Sequence, residues 1–164
     1  MSELFETPNK VRGFEFVTDK RKLTGEPLMR LPESAYEDSA GYDFFAPYDV
    51  AIEPGKKVLI WTDVKAYMQP REWLFVDVRS SYGIKKDLML ANTIAVVDSD
   101  YYNNEDNEGN IGICLRNIGD VVVEFKAGEA YAQGLFLPYL KSDNGNSTKK
   151  RSGGLGSSDQ SRKL

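Results

Sequence analysis

The segment Trp73-Leu74-Phe75-Val76-Asp77-Val78-Arg79-Ser80-Ser81-Tyr82-Gly83 sets the reading of the chain. Its first six residues are aromatic, β-branched or apolar apart from Asp77, the make-up of a half-buried strand. Arg79 and two serines then stand where that strand ends. A guanidinium fork beside hydroxyls and a glycine can hold phosphate oxygens. The same residues also make an ordinary surface turn.

Runs of the same kind recur on both sides. Strands are expected at Gly13–Val17, Tyr42–Phe45, Val58–Trp61, Val64–Met68, Leu74–Val78, Thr93–Val97, Ile111–Leu115, Val121–Phe125 and Ala132–Leu137. Glu53-Pro54-Gly55, Asn117-Ile118-Gly119-Asp120 and Lys126-Ala127-Gly128-Glu129 read as connections. Many short strands at such spacing predict an all-β fold, a jelly-roll-like barrel or sandwich. One short helix is expected near Lys85–Met89. Residues 1–141 read as one β-barrel domain. From Ser142 the chain becomes Ser, Gly, Asn, Lys and Asp, so 142–164 reads as a flexible Gly/Ser-rich arm.

Composition narrows the chemistry. The chain has 164 residues, 41% of them apolar and 28% charged, with a net charge of −4. A single domain is expected, and the mild acidity argues against a nucleic-acid partner, which calls for a basic face. There is no histidine, which removes the commonest general base and every Ser-His-Asp triad. Cys114 is the one cysteine, so no disulfide forms within the chain and a structural zinc site is not expected. Met1–Glu6 lacks the features of a signal peptide. Gly134–Leu140, the longest apolar stretch, is too short to span a membrane. A cytoplasmic protein is the expectation.

Two further stretches carry chemistry. In Asn92-Thr93-Ile94-Ala95-Val96-Val97-Asp98-Ser99-Asp100-Tyr101, an apolar run delivers two carboxylates and a tyrosine at its end. Without histidine, a carboxylate is the natural base for activating water. A strand followed by an acidic turn is the plainer reading. A calcium loop does not fit, because Tyr102 and Asn103 stand where it wants Asp or Asn and Gly. In Lys149-Lys150-Arg151-Ser152-Gly153-Gly154-Leu155-Gly156-Ser157-Ser158, cations precede a Gly- and Ser-rich run able to approach phosphates closely. The Gly-x4-Gly-Lys-[Ser/Thr] pattern of a P-loop is missing.

Taken together and in order, these stretches closely resemble the trimeric dUTPase family, from about Gly41 to Ser158. Ala40-Gly41-Tyr42-Asp43 resembles its first motif and Arg79-Ser80-Ser81 its second, with the family's spacing from Arg79 to Asn92. Asn92 to Tyr101 resembles the third, Gly128-Glu129-Ala130-Tyr131-Ala132-Gln133 the fourth, and Arg151 to Ser158 the fifth. The resemblance implies hydrolysis of dUTP to dUMP and pyrophosphate. It casts Asp98 as the residue that holds and activates the attacking water, and Tyr101 as the platform under the deoxyribose that leaves no room for a 2′-hydroxyl. Asn92 and the hairpin backbone at Ala95 and Val97 would read uracil, with Leu155 covering the base. Arg79, Ser80, Ser81, Gln133, Arg151, Gly154, Ser157 and Ser158 would bind phosphates. Asp43 would act on Mg²⁺ through water. The arm would close over a site of another subunit in a homotrimer.

The departures are local. Ala130 stands where the family has Arg, Leu155 where it has a stacking Phe, and Ala95 where it has Gly. After Tyr101 the family continues with one Arg and then Gly; here the acidic insert Tyr102–Glu108 intervenes, either a solvated loop or a surface for a protein partner. The related dCTP deaminases carry a catalytic Glu three residues before an Asn; before Asn117 that position is Cys114, which argues against deamination. A regulatory, non-enzymatic relative is the third alternative.

Overall fold

The computed structural model describes residues 10–25, 30–149, 151, 153 and 154. It is built almost wholly of antiparallel strands: β1 (Gly13–Phe16), β2 (Glu33–Ser34), β3 (Tyr42–Phe45), β4 (Val50–Ile52), β5 (Lys57–Trp61), β6 (Val64–Tyr67), β7 (Glu72–Val78), β8 (Leu88–Leu90), β9 (Ala95–Asp98), β10 (Gly112–Asn117), β11 (Val123–Phe125) and β12 (Ala130–Pro138). A five-stranded sheet has the order β2-β3-β12-β7-β9, and a three-stranded sheet the order β5-β10-β8. The pairs β1-β6 and β4-β11 complete the set. The all-β expectation holds, with a single helix, α1 (Ser80–Lys86), among the described residues.

Alternation decides which face each strand buries. Leu74 and Val76 of β7, Ile113 and Leu115 of β10, Ile60 of β5 and Phe44 of β3 all point into one core, essentially without solvent contact. Close approach across the five-stranded sheet requires Gly134 on β12. A Cβ there would lie 2.9 Å from the Phe44 ring and 3.1 Å from Leu74. Earlier in the same strand the register slips between Ala130 and Ala132. This bulge turns Tyr131 into the core, where its ring stacks on Phe125 at 5.2 Å.

The helix lies five residues earlier than expected, and Leu88–Leu90 is a strand paired with β10. α1 contains Gly83 and the β-branched Ile84, so its own propensity is weak. It forms because Tyr82, its one buried residue, packs edge-on against Phe125 at 5.6 Å. Residues 93 and 94 are also not strand. Thr93 sits at φ 66° in the turn that precedes β9, its N–H bonded to the Leu90 carbonyl.

The insert Tyr102–Glu108 folds against the edge of β1 and β6. Lys65 of β6, 9% exposed at its side chain, holds the Glu108 carboxylate at 2.5 Å and Asn103 Oδ1 at 2.7 Å. Thr18 adds its hydroxyl at 2.7 Å and its N–H at 3.1 Å to the same carboxylate. Tyr102 donates to Glu15 at 2.6 Å, and burial together with that carboxylate pushes its phenol up to about 12. The segment is thus pinned at both ends by Lys65, Thr18 and Glu15, while Asn103, Glu105 and Asp106 between them stay exposed.

Burial alone would raise the Glu108 carboxyl, but the hydrogen bonds from Lys65 and Thr18 outweigh it and hold it below its ordinary 4.5. A lowered folded-state value stabilises the protein above about pH 4.5, and that contribution disappears as pH falls through the folded value. Glu108→Gln should cost about 3 kcal/mol at neutral pH, because Lys65 is left without its counter-charge. Urea titrations at neutral pH and below pH 4.5 should show the variant's deficit shrinking on the acid side; an equal deficit throughout would refute the assignment.

Candidate active site

Among the described residues β9 is the edge of the five-stranded sheet and pairs with β7 alone, so its other row of N–H and C=O groups has no strand partner among them. Asn92, Ala95, Val96, Val97 and Asp98 form one side of a cavity of about 230 Å³, closed by Tyr101, Ile111, Gly112, Arg151 and Gly154. An unpaired strand edge beside a cavity can hydrogen-bond a planar heterocycle as a second strand would bond it.

Asp98 ends β9 and its extended backbone opens the short 3₁₀ turn Ser99–Tyr101. Its carboxylate does not cap that turn. It accepts from Arg151 at 2.7 Å, while Arg151 Nε donates to Asp100 at 2.8 Å. The guanidinium also lies over the Tyr101 ring, 5.6 Å from its centre. Burial raises the Tyr101 phenol above its ordinary value, against the opposing hydrogen bond from Asn107 and the charge of Arg151, so it stays protonated at neutral pH. The Tyr101 hydroxyl donates to the Asn110 carbonyl at 3.0 Å and accepts from Asn107 at 2.7 Å.

The residues of the second motif stand elsewhere. Arg79 precedes α1, with Nε 3.1 Å from Asp43 and a terminal nitrogen 3.3 Å from the Ala130 carbonyl. Gln133 of β12 pairs with Asp43 on one side and Asp77 on the other. Arg79 and Ser81 line a separate depression of about 440 Å³ with Lys85 and Lys86; Ser80 is exposed beside it. The two groups share no wall. In the β7-β9 ladder Asp98 faces Trp73, and Arg79 follows six residues later in extended conformation. At about 3.3 Å per residue, its backbone lies roughly 20 Å from Asp98 along the sheet.

A family model described as dUTPase matches residues 29–159. The chain belongs to the dUTPase family. It is 45% identical over 150 residues to the deoxyuridine 5′-triphosphate nucleotidohydrolase of Lactococcus lactis, covering 90% of this chain and 97% of that one. It is 37% identical over 133 residues to the enzyme of the same description from Escherichia phage T5, covering 76% and 83%. Among solved structures, the Streptococcus mutans dUTPase superposes with a TM-score of 0.68 at 41% identity, over 80% of this chain and 99% of that one. The activity of the chain is that of a dUTP diphosphatase, a hydrolase of nucleotide metabolism. The family uses Mg²⁺.

Of the residues expected from sequence, the structure gathers Asn92, Ala95, Val97, Asp98, Tyr101, Arg151 and Gly154 around one cavity and places Asp43, Arg79, Ser81 and Gln133 apart from it. Leu155, Ser157 and Ser158 lie outside the described residues. Arg151, expected on a phosphate, is bonded to the two carboxylates. Cys114 lies opposite Leu59 in the β5-β10 ladder and does not line the cavity, which leaves deamination without its residue. Sequence reasoning missed Ile111, Gly112, Asn107 and Asp106. The signal for the last two was the run of asparagines at 103, 104, 107 and 110, a residue type that folds its own turns. Among the described residues no helix is long and apolar enough to cross a membrane.

Gly154 is buried and its N–H reaches Asp106 at 3.2 Å. An added Cβ would meet Asp106 at 2.8 Å and Asn107 at 3.0 Å, and Asn107 is held by its own hydrogen bonds. Gly154→Ala should therefore lift this segment off the site. Misplacement on the ångström scale should lower kcat on dUTP roughly 10- to 100-fold with an unchanged melting temperature; an unchanged kcat would show that the seat is irrelevant to turnover.

Proposed function

We propose that the cavity beside β9 takes the deoxyuridine part of dUTP, with Asp98 holding and activating the water that attacks the α-phosphorus. The supporting observation is the convergence, in one cavity, of an unpaired strand edge, a half-buried tyrosine and a carboxylate with Arg151 as its partner. Asn92 and the backbone at Ala95 and Val97 read uracil, and Leu155 covers it. Tyr101 packs under the sugar and leaves no room for a 2′-hydroxyl. When nucleotide arrives, the triphosphate competes with Asp98 and Asp100 for Arg151, which frees the catalytic carboxylate. Asp98 then takes the proton of the attacking water, and pyrophosphate leaves from the α-phosphorus.

Phosphate contacts come from Arg79, Ser80, Ser81 and Gln133, and from Arg151, Gly154, Ser157 and Ser158 of the arm, residues 142–164. The roughly 20 Å between the Arg79 backbone and Asp98 supports a homotrimer whose sites are shared, one copy supplying Asp98 and another Arg79. Residues 141–149 are exposed and follow the last strand, and the arm meets the barrel again at Arg151 and Gly154, which line the Asp98 cavity of the same chain.

Among the described residues no group of three or more acidic, histidine or cysteine side chains could hold a metal directly. Mg²⁺ would be carried by the phosphates with waters retained, and Asp43 would contribute to it through water. Such an ion supplies neutralisation of the triphosphate charge. The product dUMP serves thymidylate synthesis while uracil is kept out of DNA, in keeping with a cytoplasmic place.

Pyrophosphate release should be rapid with dUTP and weak with dCTP, dTTP and UTP. Asp98→Asn should keep dUTP binding and lose about 10³-fold in turnover, at the middle of the range for a lost general base; near-normal turnover would remove Asp98 from this role. Arg79→Ala and Asp98→Asn proteins, each nearly inactive, should regain activity when unfolded and refolded together, since some mixed sites are then intact. Absence of any regain would argue for sites built within one copy.

A further inference from the structure

The insert Tyr102–Glu108 is wired to Tyr101. Asn104, 7% exposed, closes the turn: its Oδ1 accepts from the backbone of Asp106 at 3.1 Å and Asn107 at 3.0 Å. Its amide nitrogen donates to the Tyr101 carbonyl and to Asn107 Oδ1, both at 2.8 Å. Asn107 Oδ1 also accepts from Gly109 N–H at 3.1 Å. That leaves the Asn107 amide nitrogen aimed out of the turn, and it donates to the Tyr101 hydroxyl at 2.7 Å.

The second bond of that hydroxyl runs to Asn110, whose side chain is locked to buried Asp63 in both directions, at 3.0 and 2.8 Å. Asp63 is fully buried and further held by Leu23 and Thr24. The far end of the Tyr101 ring is thus tied at two points, one in the insert and one in the core. A ring tied only at Asn110 can swing about that bond; the Asn107 bond removes the swing.

We propose that Asn107 is a positioning residue for nucleotide specificity: it fixes the depth of the Tyr101 ring, and so the rejection of ribonucleotides. This rests on the reading of the cavity as the sugar site. A pocket rejects a ligand with one added hydroxyl only weakly, about 10²-fold, when its wall can yield. Rigidity of Tyr101 is therefore what the discrimination depends on. The insert contributes that rigidity without touching the nucleotide.

The test measures kcat and KM for dUTP and for UTP on the full chain with Mg²⁺, for the unaltered protein, Asn107→Ala, Tyr101→Phe and the double variant. Loss of one hydrogen bond should lower the dUTP-to-UTP ratio of kcat/KM about tenfold, mostly through better use of UTP, with kcat on dUTP changed less than about threefold. Tyr101→Phe, which removes this bond and the one to Asn110, should lower the ratio at least as much, and the double variant no more than Tyr101→Phe alone, because the Asn107 bond is then already gone. An unchanged ratio in Asn107→Ala, or additive losses in the double variant, overturns the proposal. Should Asn107→Ala fail to fold, Asn107→Asp, which keeps the Oδ1 that closes the turn and removes the amide donor to Tyr101, decides it by the same ratio. An unaltered protein that uses both nucleotides equally overturns the sugar-site reading itself, and the proposal with it. A normal starting ratio with unshifted variants overturns the proposal alone.

Discussion

The pairing of β9 with β7 is the constraint on which the rest of the structure depends. It places Val97 opposite Leu74, so the same ladder that seals the core also delivers Asp98, one residue on, to the rim. It leaves β9 at a sheet edge with a free row of backbone groups, and it points β7 away from Asp98 so that Arg79 emerges at the far end. A slip of one residue would turn Val97 outward and Asp98 into the core. Core packing and site geometry are therefore set by one register.

That register creates a problem for phosphate chemistry, and the chain's charge makes it sharper. With a net charge of −4, the protein as a whole does not attract a triphosphate. Its cations must be local, and they are: Arg79 with Lys85 and Lys86 in one group, Arg151 in the other. Arg151 is placed between Asp98 and Asp100, where it neutralises a carboxylate pair beside an empty-handed strand edge and covers the Tyr101 ring. Behind that ring, the asparagine lattice of the insert ends on a fully buried aspartate whose oxygens are satisfied by backbone and amide donors. Buried charge of this kind is tolerated only when hydrogen-bonded, which ties residues 23 and 24, the insert and Tyr101 into one polar unit.

Much of the fold was legible because the strands that build the core announce themselves as short runs of aromatic, β-branched and apolar residues, as β5, β7 and β12 do. Those that were missed carry little pattern of their own. Glu33–Ser34 is exposed and polar, Val50–Ile52 and Leu88–Leu90 are three residues each, and all three exist because a partner strand pairs with them. α1 was misplaced for a related reason: its helical state comes from the docking of Tyr82 on Phe125, and Phe125 is distant in sequence. The site was legible as residue types and spacing. The insert was legible only as a run of acids and amides, since whether an asparagine faces water or a tyrosine hydroxyl depends on what the fold brings beside it.

By itself, the sequence determined the all-β class, the residue types and spacing that the cavity brings together, and the absence of histidine and of any disulfide within the chain, because these follow from local pattern and composition. Tertiary structure alone decided that Asp98 and Arg79 stand at opposite ends of a ladder, that Arg151 sits on Asp98, and that the insert faces inward to hold Tyr101. The physical reason is the same in each case. Alternation and residue type are properties of neighbours along the chain, whereas distance between half-sites and the partner of a side chain are set by strand pairing between segments far apart in sequence.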